Sequence, residues 1–126
     1  MGHTILYIED NPDNMLLVKR VLEVRGYTVL SAFNGLDGVK MAEENNVELI
    51  LVDINLPDID GYEVARRLRA SAKGALLYTP LIAITANALK GDAEKALAAG
   101  CDVYMSKPIN IRELAARVEG FVPSED

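Results

Sequence analysis

The chain's 126 residues, half of them hydrophobic and a quarter charged, suit one domain with a real core and are too few for two. No apolar run approaches the length of a bilayer span, which excludes a membrane helix, and Met1 leads almost directly into the first apolar run, leaving no room for a signal peptide. The formal net charge is −6 and the cations Lys19-Arg20, Arg66-Arg67 and Arg69 are scattered along helices, so the chain lacks the basic face a nucleic-acid partner would need.

Apolar runs then alternate with amphipathic stretches from end to end. The first strand is predicted over residues 4–9, where Ile5-Leu6-Tyr7-Ile8 stops on Glu9-Asp10. The first helix starts at Asn11-Pro12, a cap residue with Pro in the first turn, and stops at Gly26. Its predicted core stripe is Leu17, Val18, Val21 and Leu22. The second strand, residues 28–32, is short and polar, which places it at a sheet edge. A second helix follows Asn34-Gly35 and uses Val39 and Ala42. The third strand, residues 48–53, runs through Leu49-Ile50-Leu51-Val52 and stops on Asp53. Beyond the turn-rich run from Asn55 to Gly61, a third helix uses Val64, Ala65 and Leu68. The fourth strand, residues 81–85, ends in Thr85, and an Ala-rich helix from Asp92 to Ala99 ends at Gly100. The fifth strand, residues 102–106, ends in Lys107-Pro108, and the last helix buries Ile111, Leu114, Ala115 and Val118.

This (βα)5 alternation implies an α/β fold, a doubly wound sandwich around a five-stranded parallel sheet. Right-handed crossovers leave few topologies, and the flavodoxin-like order 2-1-3-4-5 fits best, with strands 1 and 3 at the switch point. One domain is expected over residues 1–122, followed by a short frayed tail at 123–126 and no output domain. The single cysteine, Cys101, has no internal partner, which fits a cytoplasmic protein.

In such a sheet all strand tips share one edge, and ligands bind there. That edge would carry Glu9, Asp10, Asp53, Thr85 and Lys107. Each has a plainer explanation when taken alone. Glu9-Asp10 suits the start of a helix, Asp53 can pair with a Lys or a backbone N–H, and Thr85 and Lys107 can be an ordinary hydroxyl and a solvated amine. Taken together, three clustered carboxylates repel one another and call for a cation. A fixed carboxylate beside a divalent cation can attack phosphorus.

Glu9-Asp10, Asp53 followed by Asn55-Leu56-Pro57-Asp58 and Gly61, Thr85-Ala86, and Lys107-Pro108 resemble the receiver domain of two-component response regulators. The likeness covers essentially the whole chain, with every motif in order. Asn11 with Asn14, the stretch from Ala88 to Asp92, and Gly100-Cys101-Asp102 with Tyr104 resemble single-domain regulators of the DivK and CheY type, and receiver domains of hybrid histidine kinases are similar. The resemblance implies that Asp53 is the phosphoacceptor. It implies Mg2+ held by Asp10, Asp53 and the backbone carbonyl of Asn55, with Glu9 acting through water. Thr85 and Lys107 would contact the phosphoryl oxygens, Tyr104 would turn with the phosphorylation state, and Asn87 with Asn55 would influence loss of the phosphoryl group.

The implied partners are a sensor histidine kinase or histidine phosphotransferase as donor, and a downstream protein. The implied chemistry is limited to the domain's own phosphorylation and dephosphorylation. The output face would be helix 4, strand 5 and helix 5, with Leu89, Lys90 and Tyr104. Met15 and Leu16 lie outside the predicted core stripe near the site. They are expected either to dock the donor's helices or simply to widen the buried stripe. Two other classes remain at this stage. One is a phosphorylation-independent interaction module, against which Asp10, Asp53, Thr85 and Lys107 all argue. The other is an aspartyl hydrolase, which would be expected to carry a second Asp where Asn55 stands. A GTPase is disfavoured because no GxxxxGK[ST] loop occurs.

Overall fold

The five strands β1 (Thr4–Ile8), β2 (Thr28–Ala32), β3 (Leu49–Asp53), β4 (Leu81–Thr85) and β5 (Val103–Ser106) pair in the order β2-β1-β3-β4-β5, all parallel. The structure is a computed structural model, and it describes residues 3–86 and 91–123. The helices are α1 (Pro12–Val24), α2 (Gly35–Glu44), α3 (Gly61–Arg69), α4 (Asp92–Ala99) and α5 (Ile111–Phe121), with a 3-10 turn over Gly74–Leu77 before β4. The expected topology is therefore the observed one. No helix among the described residues is long and apolar enough to cross a membrane.

Covering both faces of the sheet makes two cores. Leu6, Ile8, Ile50, Val52, Leu81 and Ala83 meet α2, α3 and α4 on one side. Ile5, Tyr7, Leu49, Leu51, Ile82 and Ile84 meet α1 and α5 on the other. β3 and β4 are buried along their whole length, which is why their sequences are continuous aliphatic runs rather than alternating ones. β2 is an edge strand and begins on the exposed Thr28.

Four helices start on a side-chain cap. Asn11, Asn34, Asp60 and Asn110 each accept a bond from the backbone N–H three residues on. Each of these helices follows a strand, α3 after a loop over residues 54–60, so the helix N-termini and the strand tips share one edge. Gly61 allows the closest of these joints. A Cβ there would stand 2.6 Å from the carbonyl oxygen of Asp53. The opposite edge is fastened by Arg69, which donates to the carbonyls of Gly100, Leu76 and Thr79 and to the Asp102 carboxylate.

The phase of α1 differs from the predicted stripe. Met15, Val18 and Leu22 face the core, whereas Leu17 is 46% exposed. Positions 15, 18 and 22 lie on one face at helical spacing, and residue 17 stands about 100° from residue 18. Met15 is only 4% exposed and packs among Tyr7, Val18 and Leu22, so it belongs to the core and offers nothing to a docking partner. Leu16 is half exposed.

Candidate functional site

Glu9 follows β1, Asp53 ends β3, Thr85 ends β4 and Lys107 follows β5. Parallel pairing brings these tips together. Asp53 lies opposite Ile84 and Thr85 opposite Ser106, and the Lys107 amide donates to the Thr85 carbonyl at 2.7 Å. Carboxylate oxygens of Glu9, Asp10 and Asp53 all lie within 4.8 Å of one another. Glu9 and Asp53 are buried and Asp10 is exposed.

The Lys107 ammonium reaches into this cluster, 2.9 Å from Asp53 Oδ2 and 3.4 Å from Glu9 Oε1. The Lys107–Pro108 peptide bond is cis. The other oxygen of Asp53 accepts the Asn55 amide at 2.9 Å. The Asp53 carboxylate is thus fixed at both ends before any ligand arrives.

Glu9 is gripped more fully than its sequence position suggested. The buried Tyr7 hydroxyl donates to Oε1 at 3.0 Å, Asn14 Nδ2 to the same oxygen at 3.3 Å, and the Asn11 amide to Oε2 at 3.3 Å. In the sequence Tyr7 stands within an apolar run. Its spacing of two from Glu9 puts both side chains on one face of the strand, a relation visible in the sequence.

Burial, followed by the neighbouring Asp53, pushes the Glu9 carboxyl up to about 7, against the smaller pulls of the Asn11 amide and Lys107. Burial alone would raise Asp53 as well, but Glu9, Lys107 and the Asn55 amide favour its anion and hold it below the usual range. In the pair, therefore, Glu9 holds a proton more tightly than Asp53, and Asp53 is the group that more readily carries negative charge. Lys107 shows the mirror image: burial disfavours its charge, and Asp53 outweighs burial to raise its pKa above that of an ordinary lysine.

One ammonium faces three carboxylates, so the cluster is short of positive charge. Its donors are hard oxygens, the class that holds Mg2+ or Ca2+. The donor set and the charge deficit fit a divalent cation. Beside the cluster lies an open cavity of about 240 Å³ lined by Ile54, Asn55, Asp60, Tyr62, Thr85 and Asp92. Tyr104 is half-buried on β5 and packs against the core on this side of the sheet. It stands opposite Ala83 and so shares a sheet face with Thr85. Leu89, Lys90 and Asn87 lie outside the described residues.

The sequence pattern of the family described as "Response regulator receiver domain" matches residues 5–119. The chain belongs to that family. This receiver domain is 36% identical over 122 residues to the polar-differentiation response regulator DivK of Brucella anthropi, covering 97% of this chain and 98% of that protein. It also resembles the receiver domain of a sensor histidine kinase from Pseudomonas aeruginosa PAO1, solved with a magnesium ion coordinated in its active site cleft. There the TM-score is 0.87 at 38% identity, over 98% of this chain and 100% of the other. A third likeness is to a co-crystal structure from Saccharomyces cerevisiae of a histidine phosphotransfer signaling protein with the receiver domain of its downstream response regulator. It has a TM-score of 0.86 at 28% identity, over 95% and 88% of the two chains.

Proposed function

We propose that this receiver domain is a phosphorylation switch whose phosphoacceptor is Asp53, loaded from a phosphohistidine with Mg2+ present. The observation that carries the reading is the contact of Lys107 Nζ with Asp53 Oδ2 at 2.9 Å, inside a cluster where Glu9 and Asp10 supply two further carboxylates. Asp53 ends an aliphatic strand and its carboxylate is pinned by Lys107 and by the Asn55 amide, which suits a nucleophile that must meet phosphorus in line.

Asp10, Asp53 and the Asn55 carbonyl would hold the cation, with Glu9 reaching it through water. Mg2+ at this place supplies charge neutralisation for the transferring phosphoryl group. An Asp53 oxygen attacks phosphorus, the P–N bond to the donor imidazole breaks, and the electron pair leaves on that nitrogen. Lys107 then pairs with phosphoryl oxygens in place of its present carboxylate partners. Thr85 offers them a hydroxyl, and its movement frees room that Tyr104 can enter. Such a local charge event biases a two-state surface, here the α4–β5–α5 face, where a downstream protein would bind.

The donor would be a histidine kinase or a histidine phosphotransferase in the cytoplasm. The yeast complex supports the second class, because there a receiver domain is bound to a histidine phosphotransfer protein. Leu16, half exposed at the start of α1 beside the site, is the docking residue that remains after Met15 is assigned to the core. The likeness to a sensor-kinase receiver favours a second reading of context, in which this domain serves within a hybrid histidine kinase.

The test is intact-mass analysis after incubation with acetyl phosphate, with and without Mg2+. One phosphoryl group should appear only with the cation and map to Asp53. An Asp53→Asn variant labelled to the wild-type level would refute the assignment.

A further inference from the structure

We propose that Asp58 is a positioning residue for cation binding: by gripping the first turn of α2, its carboxylate fixes the backbone of Asn55. The inference rests on the function proposed above, which gives the Asn55 carbonyl to the cation.

The grip is bidentate. Asp58 Oδ1 accepts the Gly35 amide and Oδ2 accepts the Leu36 amide, each at 2.8 Å. These are the first two open N–H groups of α2. The third, at Asp37, is served by the helix's own cap, Asn34, at 2.8 Å. Asp58 is therefore a second cap, supplied from the loop between β3 and α3. A carboxylate at a helix N-terminus also gains from the helix dipole. The two elements are in close contact as well, since a Cβ on Gly35 would stand 2.6 Å from Ile59 Cγ1 and 3.1 Å from the Ile59 carbonyl.

The tether from Asp58 back to Asn55 is short and stiff. It is Asn55-Leu56-Pro57-Asp58, in which Pro57 has a fixed φ and restricts Leu56 before it. At the other end Asn55 is held by its amide on Asp53 Oδ1. The Asn55 carbonyl thus lies between two anchors, and Asp58 is the distal one. Leu56 and Ile59 pack against the core on either side of Pro57-Asp58, and Asp58 supplies the polar anchor that ties this part of the loop to α2. Partners that orient a metal ligand from behind contribute to affinity without touching the metal.

The experiment measures Mg2+ affinity of the full chain by calorimetric titration, comparing wild type, Asp58→Ala and Asn34→Ala. Asn34→Ala removes the other cap of the same helix and leaves the loop tether intact, so it controls for loss of capping. Asp58→Ala should raise the Kd about ten-fold, and Asn34→Ala should stay within about two-fold of wild type because capping alone acts on helix stability. Equal weakening in both variants, or no weakening in Asp58→Ala, overturns the proposal. If Asp58→Ala does not fold, Asp58→Asn keeps one acceptor oxygen and should give an intermediate Kd, and wild-type affinity there overturns the proposal too. A wild-type protein that binds no Mg2+ overturns the cation reading and this proposal with it. Wild-type binding that Asp58→Ala leaves unchanged overturns this proposal alone.

Discussion

The metal-free receiver domain should lose stability as the pH rises through neutrality, and Glu9 should be the cause. Its carboxyl is raised from an ordinary 4.5 to about 7, first by burial and then by Asp53. A carboxyl raised in the folded state binds its proton more tightly than in the unfolded chain. The associated stability is fully present below pH 4.5 and is lost as pH climbs through 7. The distance from 4.5 to about 7, at about 1.36 kcal/mol per pH unit, amounts to about 3 kcal/mol, a large part of a domain's stability. Asp53 works in another window: its folded pKa is depressed, so its contribution is lost only as pH falls below the usual carboxylate range. Lys107 is raised, and its contribution is lost only above the ordinary lysine pKa. Between pH 5 and 8 the slope of this cluster therefore belongs to Glu9. The assay is urea denaturation followed by circular dichroism at several pH values in EDTA, on wild type and on Glu9→Gln. The variant keeps every other titrating group, so the difference between the two curves isolates Glu9. Adding Mg2+ at pH 8 should restore stability, because the cation binds only the folded arrangement. Metal-free wild type as stable at pH 8 as at pH 5, or a Glu9→Gln variant with an unchanged slope, would refute the reasoning.

Packing and exposure also set the outcomes of substitutions at Met15, Leu16, Gly61 and Arg69. Met15→Glu places a charge in the α1–α5 core and should cost about 3 kcal/mol or more in urea denaturation, whereas Leu16→Glu, at a half-exposed site, should stay within about 0.5 kcal/mol of wild type. Leu16→Glu should also slow transfer from a cognate phosphodonor while leaving acetyl-phosphate labelling intact, and unfolding of that variant would place Leu16 in the core instead. Gly61→Ala brings a methyl against the Asp53 carbonyl and should cost about 2 kcal/mol while slowing phosphorylation; an unchanged thermal melt and labelling rate would contradict the close approach. Arg69→Met strands the carbonyls of Gly100, Leu76 and Thr79 and leaves Asp102 with the Leu81 amide but no cation, for a loss of about 2–4 kcal/mol that the same denaturation curves would report.

The strand tips were legible because each is a local event. A strand-forming run that stops on Asp53, Thr85 or Lys107 marks the end of a strand and a candidate site residue together, and alternation with helices puts all the tips on one edge. The phase of α1 was not legible to the same degree. The stripe 17-18-21-22 and the stripe 15-18-22 share Val18 and Leu22, and only docking against β1 and α5 decides that Met15 turns inward and Leu17 outward. Long-range polar partners were hidden for a different reason. Loop composition explains why an Asp stands at 58, yet nothing near it in sequence says that its carboxylate caps a helix 22 residues earlier. The carboxylate partner of Arg69 is likewise 33 residues away at Asp102. Tyr7 lies between these cases, since its phenol was concealed in an apolar run while its spacing from Glu9 was visible.

The charge count at the strand tips links stability to function. Lys107 divides one positive charge between Asp53 at 2.9 Å and Glu9 at 3.4 Å and leaves Asp10 to solvent. The deficit can be met by a proton on Glu9 or by a divalent cation among the three carboxylates. The two are alternatives, because a protonated Glu9 no longer adds its charge to the cluster. Acid favours the proton; neutral pH favours the cation. The repulsion that destabilises the empty site is thus the same energy that favours filling it. A substitution that relieves it, such as Glu9→Gln, should give a more robust fold and a weaker cation site together. A phosphoryl group on Asp53, as proposed, would add negative charge to the same cluster and present oxygens to Lys107 that compete with its carboxylate partners. On the function proposed here, rearrangement of the Lys107 contacts would be the step through which charge at Asp53 reaches β5 and the face that carries Tyr104.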